Sequence, residues 1–377
     1  MLSTWKTGAL CTFVCTFLYF GCSKDQVVPS EPTFDLHERL THINLRSACS
    51  PITVQPGSSG GLQQAISDIC EGGIIYLAAG EHVQTEPVVV NKSVLLIGRE
   101  GAILKLAAGA PHPLIPDETG VTNGNIQMEV GLRFVNAPNS LVQNIEFQPV
   151  NQYGSVALMM DHSPGSGVMF NTMNGFQFGT VIEYSDRMVI MHNNITTMDL
   201  WLNDFSYTDA HGIMVINGRS VYIAENAVAQ SVFGIWGCDE WGTMENNTVS
   251  DGYVGIILCN VPANYFTIPG GTVTGSQRPG TGWKVRQNSV SNSFAENYLI
   301  IDGANQNIIV NNASSNPGTY DMELTTETFR FGSPPAPEAH DNTVIVGDHA
   351  NFRVKDCGTN NSVEGAVMVD TSSDPCQ

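Results

Sequence analysis

The segments GIMVIN (212–217), GIWGCD (234–239) and GIILCN (255–260) begin with glycines that are 22 and 21 residues apart. Each segment is short and mostly apolar, and each ends at Asn or Asp. This composition is typical of a strand that runs into a turn. A fixed internal period of this size predicts a solenoid that climbs one rung per repeat.

A second pattern, apolar-x-x-Asn-x-apolar, alternates with these segments. Its asparagines are Asn193, Asn226, Asn247 and Asn288, with Asn311 or Asn312 expected next. In a parallel β-helix the same position stacks on itself in successive rungs, so asparagines at a turn can form an amide ladder. We therefore interpret this column as structural. A sandwich or barrel also has a strand every 8–12 residues, but hairpin folds do not need equal rungs.

Composition limits the classes of function. The chain has 377 residues, of which 36 are acidic and 16 basic, and its formal net charge is −20. This charge argues against a nucleic-acid partner, which requires a basic surface. A divalent cation would be needed to bridge the acidic side chains to an acidic sugar. The continuous repeat favours one long domain.

The N-terminus is interpreted as a targeting segment. Lys6 precedes a short apolar run at residues 8–20, which is too short to span a membrane as a mature helix. The run ends at Gly21-Cys22, which resembles a bacterial lipoprotein cleavage site. We expect a signal peptide at 1–21, a lipidated Cys22, a polar tether at 22–48 and a β-helix domain at 49–377.

These expectations imply an exported, monomeric lipoprotein of the outer membrane, in the periplasm or at the cell surface, with its lipid as the only membrane anchor. Six cysteines remain in the mature chain, and an even number favours disulfides in an exported protein. Cys238 and Cys259 occupy the same place in adjacent rungs, about 4.8 Å apart, within reach of a disulfide. The predicted pairs are Cys238–Cys259, Cys49–Cys70 and Cys357–Cys376. Alternatively, Cys238 and Cys259 stack as free thiols.

The stretch GGLQQAISDICEGGIIYLAAGEHVQTEPVVVNKSVLLIGREGAIL (60–104) resembles the start of pectate-lyase-like right-handed β-helix proteins. Leu62, Ala65, Ile66 and Ile69 have helical spacing, so residues 61–70 match the capping helix of that family. GGIIYLAAG then matches its first rung. The resemblance extends to roughly residue 370 and implies a right-handed parallel β-helix. It does not define one activity, because the family includes lyases, hydrolases, epimerases and non-catalytic sugar-binding proteins.

Two insertions interrupt the repeat, at 198–211 and within 261–282. They bracket one predicted sheet, made of 179–184, 212–217, 234–239, 255–260 and about 298–302. Loops on a rigid solenoid commonly carry function, so this sheet is the predicted binding face. The candidate catalytic residues are Asp209, His211, Asp239 and Glu240. The candidate substrate-binding residues are Trp201, Tyr207, Trp236, Asp302 and Arg219.

Asp209-Ala-His211 is weakly similar to the Asp-Pro-His-Asp motif of β-helix uronate epimerases. Asp and His supply acid, base or metal-ligand chemistry. Strand alternation places Trp236 on the outward face if Ile235 points inward, and an outward Trp would offer a surface for a sugar ring. A polar loop that enters a strand, and a Trp that only packs, are the structural alternatives.

The favoured function is that of a lyase, hydrolase or epimerase acting on an extracellular polysaccharide. The alternatives are a non-catalytic carbohydrate-binding protein and a surface scaffold. A lyase would require a base, for which Arg219, Lys284 and Arg286 are candidates, and commonly a Ca²⁺ ion to neutralise a uronate. A hydrolase would require two converging carboxyl groups.

Overall fold

The computed structural model describes most of the chain after residue 48. The described residues are 49–58, 60–111, 126–197, 210–260, 266–268, 271–272, 279–325, 337–349 and 351–376. All of them lie in one compact unit, His37–Gln377. The predicted signal peptide, Cys22 and the tether lie outside the described residues. In the described part of the chain, no helix is long and apolar enough to cross a membrane.

The described part of the chain contains one helix and many short strands, as the turn-rich, apolar repeats predict. The helix is α1 (Gly61–Asp68). The first half of the strands is β1 (Ile52–Val54), β2 (Gly73–Leu77), β3 (Gly80–Gln84), β4 (Val88–Val90), β5 (Val94–Gly98), β6 (Ala102–Leu106), β7 (Ile126–Gln127), β8 (Val130–Val135), β9 (Leu141–Gln143), β10 (Glu146–Pro149), β11 (Gly154–Asp161), β12 (Gly167–Met169), β13 (Thr172–Glu183), β14 (Val189–Met191), β15 (Asn194–Thr197), β16 (His211–Ile216) and β17 (Tyr222–Ala224).

The second half continues the same succession of short strands. It is β18 (Ala227–Ala229), β19 (Phe233–Cys238), β20 (Thr243–Glu245), β21 (Thr248–Ser250), β22 (Val254–Leu258), β23 (Phe266–Ile268), β24 (Gly271–Thr272), β25 (Lys284–Arg286), β26 (Ser289–Ser291), β27 (Tyr298–Ile300), β28 (Ile308–Val310), β29 (Ala313–Ser315), β30 (Met322–Leu324), β31 (Thr343–Ile345), β32 (Arg353–Asp356), β33 (Ser362–Glu364) and β34 (Val367–Met368).

These strands form parallel ladders that run the length of the coil. Sheet A contains twelve strands in the order β1-β2-β5-β9-β12-β14-β17-β20-β25-β28-β31-β33. The second sheet divides into two ladders that share the long strand β13. Ladder B runs β3-β6-β10-β13-β15-β18-β21-β26-β29. Ladder C runs β4-β8-β11-β13-β16-β19-β22-β27-β30-β32-β34.

As far as β30, the rungs pass in turn through sheet A, ladder B and ladder C, and the last two rungs have strands only in sheet A and ladder C. The predicted binding sheet corresponds to the middle of ladder C. In that ladder Ile213, Ile235 and Ile256 are in register and belong to the interior core. The next residue of each strand points the other way. The solenoid and its rung register, predicted from the repeat, are confirmed.

The first rungs are closed by α1, which confirms the predicted cap. Leu62, Ala65 and Ile66 are buried, and the helix packs against β1 and β4. The helix ends at Asp68, slightly before the predicted boundary, and Cys70 just beyond it forms a disulfide with Cys49. The cap therefore shields the apolar interior at this end of the solenoid.

The asparagine column forms a buried amide ladder at the corner between sheet A and ladder B. It contains Asn171, Asn193, Asn226, Asn247, Asn288 and Asn312. The amide nitrogen of each donates to the amide oxygen of the next, over 2.9–3.1 Å. A second ladder, Asn307–Asn342–Asn361, occupies the corner that precedes sheet A. The structural interpretation of these asparagines is confirmed.

Candidate functional site

The strands of ladder C all end along one corner of the coil, where the chain turns towards sheet A. We call this corner the C–A edge. Its polar and aromatic residues are Asp161, His162, Glu183, Tyr184, Arg219, Asp239, Glu240, Trp241 and Asp302. Because parallel strands end at the same edge, side chains from distant parts of the sequence lie one rung, or about 4.8 Å, apart. Four of the predicted site residues lie here.

Those four are Arg219, Asp239, Glu240 and Asp302. The three carboxylates are largely buried, with 5–7% of each residue exposed. Arg219 lies on the rung before Glu240, and its Nε is 3.5 Å from the Glu240 carboxylate. The structure thus joins a predicted substrate-binding residue to a predicted catalytic one as an ion pair.

His211 lies at the opposite edge of ladder C, where the strands begin. It begins β16 and is in register with Phe233 at the start of β19, whereas Asp239 follows the end of β19. Six residues of extended chain separate those two levels, which is about 20 Å. The structure therefore does not bring His211 together with Asp239.

The surroundings of His211 are aromatic. Its ring stacks on Trp236 at 4.3 Å and on Phe178 at 5.2 Å, and lies 5.1 Å from Phe233. His211 has no exposed surface. This environment is that of a packed side chain rather than of a group facing solvent.

Trp236 points outward, as strand alternation predicts when Ile235 points inward. It is nevertheless only 1% exposed, and it belongs to a second apolar cluster on the outward face of ladder C. Members of this cluster at the centre of the face include Met159, Val181, Met214, Trp236, Ile257 and Leu299. In this structure the centre of the predicted binding face is a buried core, and its polar groups lie at the edge.

A small sheet connects the two ends of this buried face. β7, just before β8, pairs in parallel with β23, which follows β22, and β24 pairs with β23. β8 and β22 are five strands apart in ladder C, or about 24 Å. The insertion after β22 therefore reaches the segment that precedes β8. Trp201, Tyr207 and Asp209 lie outside the described residues.

Sequence reasoning missed the part of the C–A edge that lies closer to the N-terminus. Asp161 and Glu183 are in register on β11 and β13, and they are 5% and 4% exposed. The residues that follow them, His162 and Tyr184, stack at 4.7 Å. The available signal was the pair of dipeptides Asp-His and Glu-Tyr, which repeat a carboxylate followed by a ring at an interval of 22 residues.

Trp241 provides an exposed ring on the same edge, with 48% of its surface accessible. The ring lies against the backbone of Gly282 on the next rung, where an added Cβ would be 2.4 Å from Trp241 Cε3. Because Gly282 has no side chain, the indole of Trp241, the residue that follows Glu240, can lie against it.

No protein-family model and no curated protein sequence matches the chain. Solved structures do match its coil. A family 28 exopolygalacturonase of Yersinia enterocolitica superposes with a TM-score of 0.51 at 14% identity, covering 85% of this chain and 70% of that one. PfbA, a surface adhesin of Streptococcus pneumoniae, gives a TM-score of 0.50 at 10% identity, covering 85% and 91%. The protein is a right-handed parallel β-helix.

The same fold is shared with the tailspike protein of an E. coli bacteriophage, solved with a pentasaccharide. That match has a TM-score of 0.51 at 10% identity and covers 85% of this chain. The β-helix described here spans 58% of the tailspike chain. At such identities these likenesses define the fold and do not transfer an activity.

The three predicted disulfides are all present in the β-helix: Cys49–Cys70, Cys238–Cys259 and Cys357–Cys376. The Cα atoms of Cys238 and Cys259 are 4.9 Å apart, close to the rung spacing on which the prediction rested. Among the described residues, no group of three or more His, Cys, Asp or Glu side chains is arranged to hold a metal ion.

Proposed function

We propose that this β-helix is an exported protein that binds a carbohydrate polymer along the C–A edge. The observation that carries the proposal is the exposed indole of Trp241, which lies against Gly282 on the same edge as the Arg219–Glu240 pair. An aromatic face packs against the C–H face of a sugar ring, while a guanidinium and a carboxylate hydrogen-bond to its hydroxyls.

The repetition of the edge supports a polymeric ligand. His162 and Tyr184 occupy successive rungs, and Trp241 lies three rungs beyond His162, or about 14 Å along the edge. Polar and aromatic groups thus recur along a line, which suits a chain of similar units. The formal charge of −20 favours neutral sugars, and an acidic polymer would need a bridging cation such as Ca²⁺.

A polysaccharide-cleaving activity is the second candidate. The register of Asp161 with Glu183 on adjacent strands favours it, because glycoside hydrolysis commonly uses two carboxyl groups within 5–10 Å of each other. A lyase or epimerase would use the same edge with a different base. Asp239 and Asp302 add further carboxylates to this line.

The compartment follows from the disulfides and the N-terminal sequence. Three disulfides are typical of proteins that mature in an oxidising environment. We propose that Cys22 carries lipid and anchors the domain to the outer membrane, facing either the periplasm or the medium. Mass spectrometry of the membrane-extracted protein would reveal the lipid, and Cys22→Ser would release the protein from the membrane fraction.

Binding to a panel of neutral and acidic polysaccharides tests the main proposal. Trp241→Ala should weaken binding to the preferred polymer at least tenfold, or about 1.4 kcal/mol. Phe294→Ala is the matched control, because Phe294 is 63% exposed but lies between β26 and β27, away from the C–A edge. If both variants bind like the parent, or if no polymer binds, the proposal is wrong.

The same panel separates binding from cleavage. New reducing ends would indicate a hydrolase, and products that absorb in the ultraviolet would indicate a lyase. A chelator should abolish only a reaction that depends on Ca²⁺. Polymers that bind tightly and remain intact would support the non-catalytic form of the proposal.

A further inference from the structure

The carboxylate of Asp161 is held between two cationic or hydrogen-donating side chains at the start of the C–A edge. Arg133 Nη2 donates to Asp161 Oδ2 over 2.6 Å, and His162 Nδ1 lies 2.5 Å from Asp161 Oδ1. The Asp161 side chain is 7% exposed. A buried carboxylate that accepts hydrogen bonds from two side chains is fixed in position.

This arrangement determines the tautomer of His162. A carboxylate can only accept hydrogen bonds, so the imidazole proton resides on Nδ1 and the lone pair on Nε2. The His162 side chain is 55% exposed, and its ring stacks on Tyr184 at an interplanar angle of 27°. Asp161 and Tyr184 together orient the His162 imidazole so that Nε2, the nitrogen with the lone pair, points away from Asp161.

Two other histidines in the described part of the chain pair with a carboxylate, and they provide a comparison. His192 lies 3.3 Å from Glu225, and His340 lies 2.8 Å from Asp341. The carboxylate side chains of those pairs are 48% and 51% exposed, so water competes for them. Only the partner of His162 is buried and also bound to an arginine.

We propose that Asp161 and His162 form an acid–base dyad that serves a hydroxyl-bearing ligand, a sugar or the water that attacks it, at the C–A edge. His162 Nε2 accepts a proton from that hydroxyl, and Asp161 stabilises the resulting imidazolium. Arg133 and Tyr184 are positioning residues. Where the ligand is a sugar, the dyad rests on the proposed function and names the reactive group that would act on that sugar.

The geometry has the features that a general base requires. The imidazole is the side chain best suited to proton transfer near neutral pH. A buried acid that orients it through Nδ1 is the arrangement used by unrelated hydrolases. Glu183, on the next rung, is in register with Asp161 and supplies a second carboxyl group near the ligand. None of these residues is among the aromatic side chains that contact His211.

The first experiment measures cleavage of the polymer that the parent protein binds best. His162→Gln should lower kcat about 100-fold or more, in line with general acid–base catalysis, and should weaken polymer binding by a much smaller factor. Asp161→Asn, which cannot hold the same tautomer, should also lower kcat by at least tenfold. His340→Gln is the matched control and should behave like the parent. A polymer that binds but is never cleaved, or is cleaved equally well by His162→Gln, overturns the dyad.

A second experiment judges the dyad even if no polymer binds. With 4-nitrophenyl acetate, His162 Nε2 attacks the ester carbonyl and 4-nitrophenolate leaves. Water then hydrolyses the acylimidazole to acetate and restores the imidazole. His162→Gln should remove at least half of the rate catalysed by the parent, and His340→Gln much less. Nitrogen NMR should show His162 with its proton on Nδ1 in the parent. Equal ester hydrolysis by the parent and His162→Gln overturns the dyad, whereas absence of polymer binding alone overturns only the proposed function.

Discussion

The amide oxygen of Asn226 accepts two hydrogen bonds from Asn193 on the preceding rung, one from its amide nitrogen at 2.9 Å and one from its backbone nitrogen at 3.0 Å. Asn226 Nδ2 in turn donates to Ile190 O and to Asn247 Oδ1. Every amide in the middle of the ladder is satisfied in this way, although 2% or less of these residues is exposed.

Replacing Asn226 by Ala should therefore destabilise the fold strongly. The change removes the acceptor of two buried donors on Asn193 and the side-chain donor to Ile190 O, at about 1–3 kcal/mol for each group left unpaired. We expect a loss of roughly 3–5 kcal/mol in the free energy of unfolding, measured by urea denaturation. Asn194→Ala, at an exposed position next to the ladder, should cost less than about 1 kcal/mol. Equal losses would contradict a special role for the ladder.

The Cys238–Cys259 disulfide joins two adjacent rungs of ladder C across 21 residues of sequence. Restricting the unfolded chain over a loop of this size contributes about 3 kcal/mol. The double variant Cys238→Ala/Cys259→Ala should unfold at a correspondingly lower urea concentration. The double variant Cys357→Ala/Cys376→Ala, which opens a loop of similar length near the C-terminus, is the comparison. If Cys238 and Cys259 are free thiols in solution, alkylation without a reductant will label them once the protein is denatured, because both are fully buried in the native fold.

Gly282→Ala should disturb Trp241 directly. The new methyl group would lie 2.4 Å from the indole, and Gly282 has a φ of +68°, which an alanine adopts at a cost of about 1–2 kcal/mol. Gly72→Ala provides a control, because Gly72 has a φ of +72° but nothing within 4 Å of the added carbon. Both variants should lose about 1 kcal/mol of stability, and only Gly282→Ala should also weaken polymer binding. Equal affinity of the two variants would mean that the position of Trp241 does not matter.

Alkaline pH should destabilise the protein through Tyr298. Burial, aided by the charge of Asp321, raises the pKa of Tyr298 well above its usual value near 10. In the unfolded chain this phenol ionises near pH 10, while in the folded protein it keeps its proton. The folded state then binds more protons, so stability is complete below about pH 10 and falls by about 1.4 kcal/mol per pH unit above it.

Tyr298→Phe isolates this effect. It removes the hydrogen bond from the phenol to Ala313 O, 2.8 Å long, and should cost about 1 kcal/mol at neutral pH. Between pH 10 and 11 the free energy of unfolding of this variant should fall less steeply than that of the parent. Parallel curves for the two proteins would show that Tyr298 does not contribute to the alkaline loss.

The β-helix fold could be predicted from the sequence because each rung has to bury its apolar residues and pair with its neighbours in the same way. The spacing of Gly212, Gly234 and Gly255 gave the register of ladder C, and from that register followed the Cys238–Cys259 pair and the outward direction of Trp236. The asparagine column was assigned for the same reason. Its extension to Asn171 lies one period before Asn193.

The site was harder to predict because the period of the rungs does not show which side chains are exposed. Trp236 points outward yet is buried, within an apolar cluster on the outward face of ladder C. His211 and Asp239 are close in rung number but lie at opposite ends of their strands. Asp161 and His162 lacked any recognisable motif, and their significance comes from the burial of one side chain and the exposure of the other.

The two amide ladders meet at β28, with Asn307 before that strand and Asn312 after it. Each ladder is a chain of dipoles pointing in the same direction, and dipoles in line polarise and strengthen one another. This cooperativity is interrupted where the first amide ladder stops and the second begins on a different corner of the coil. In a quasi-one-dimensional protein such an interruption sets the boundary between units that open separately. Amide hydrogen exchange should therefore divide the coil near residue 308, with the C-terminal rungs exchanging as a block of their own.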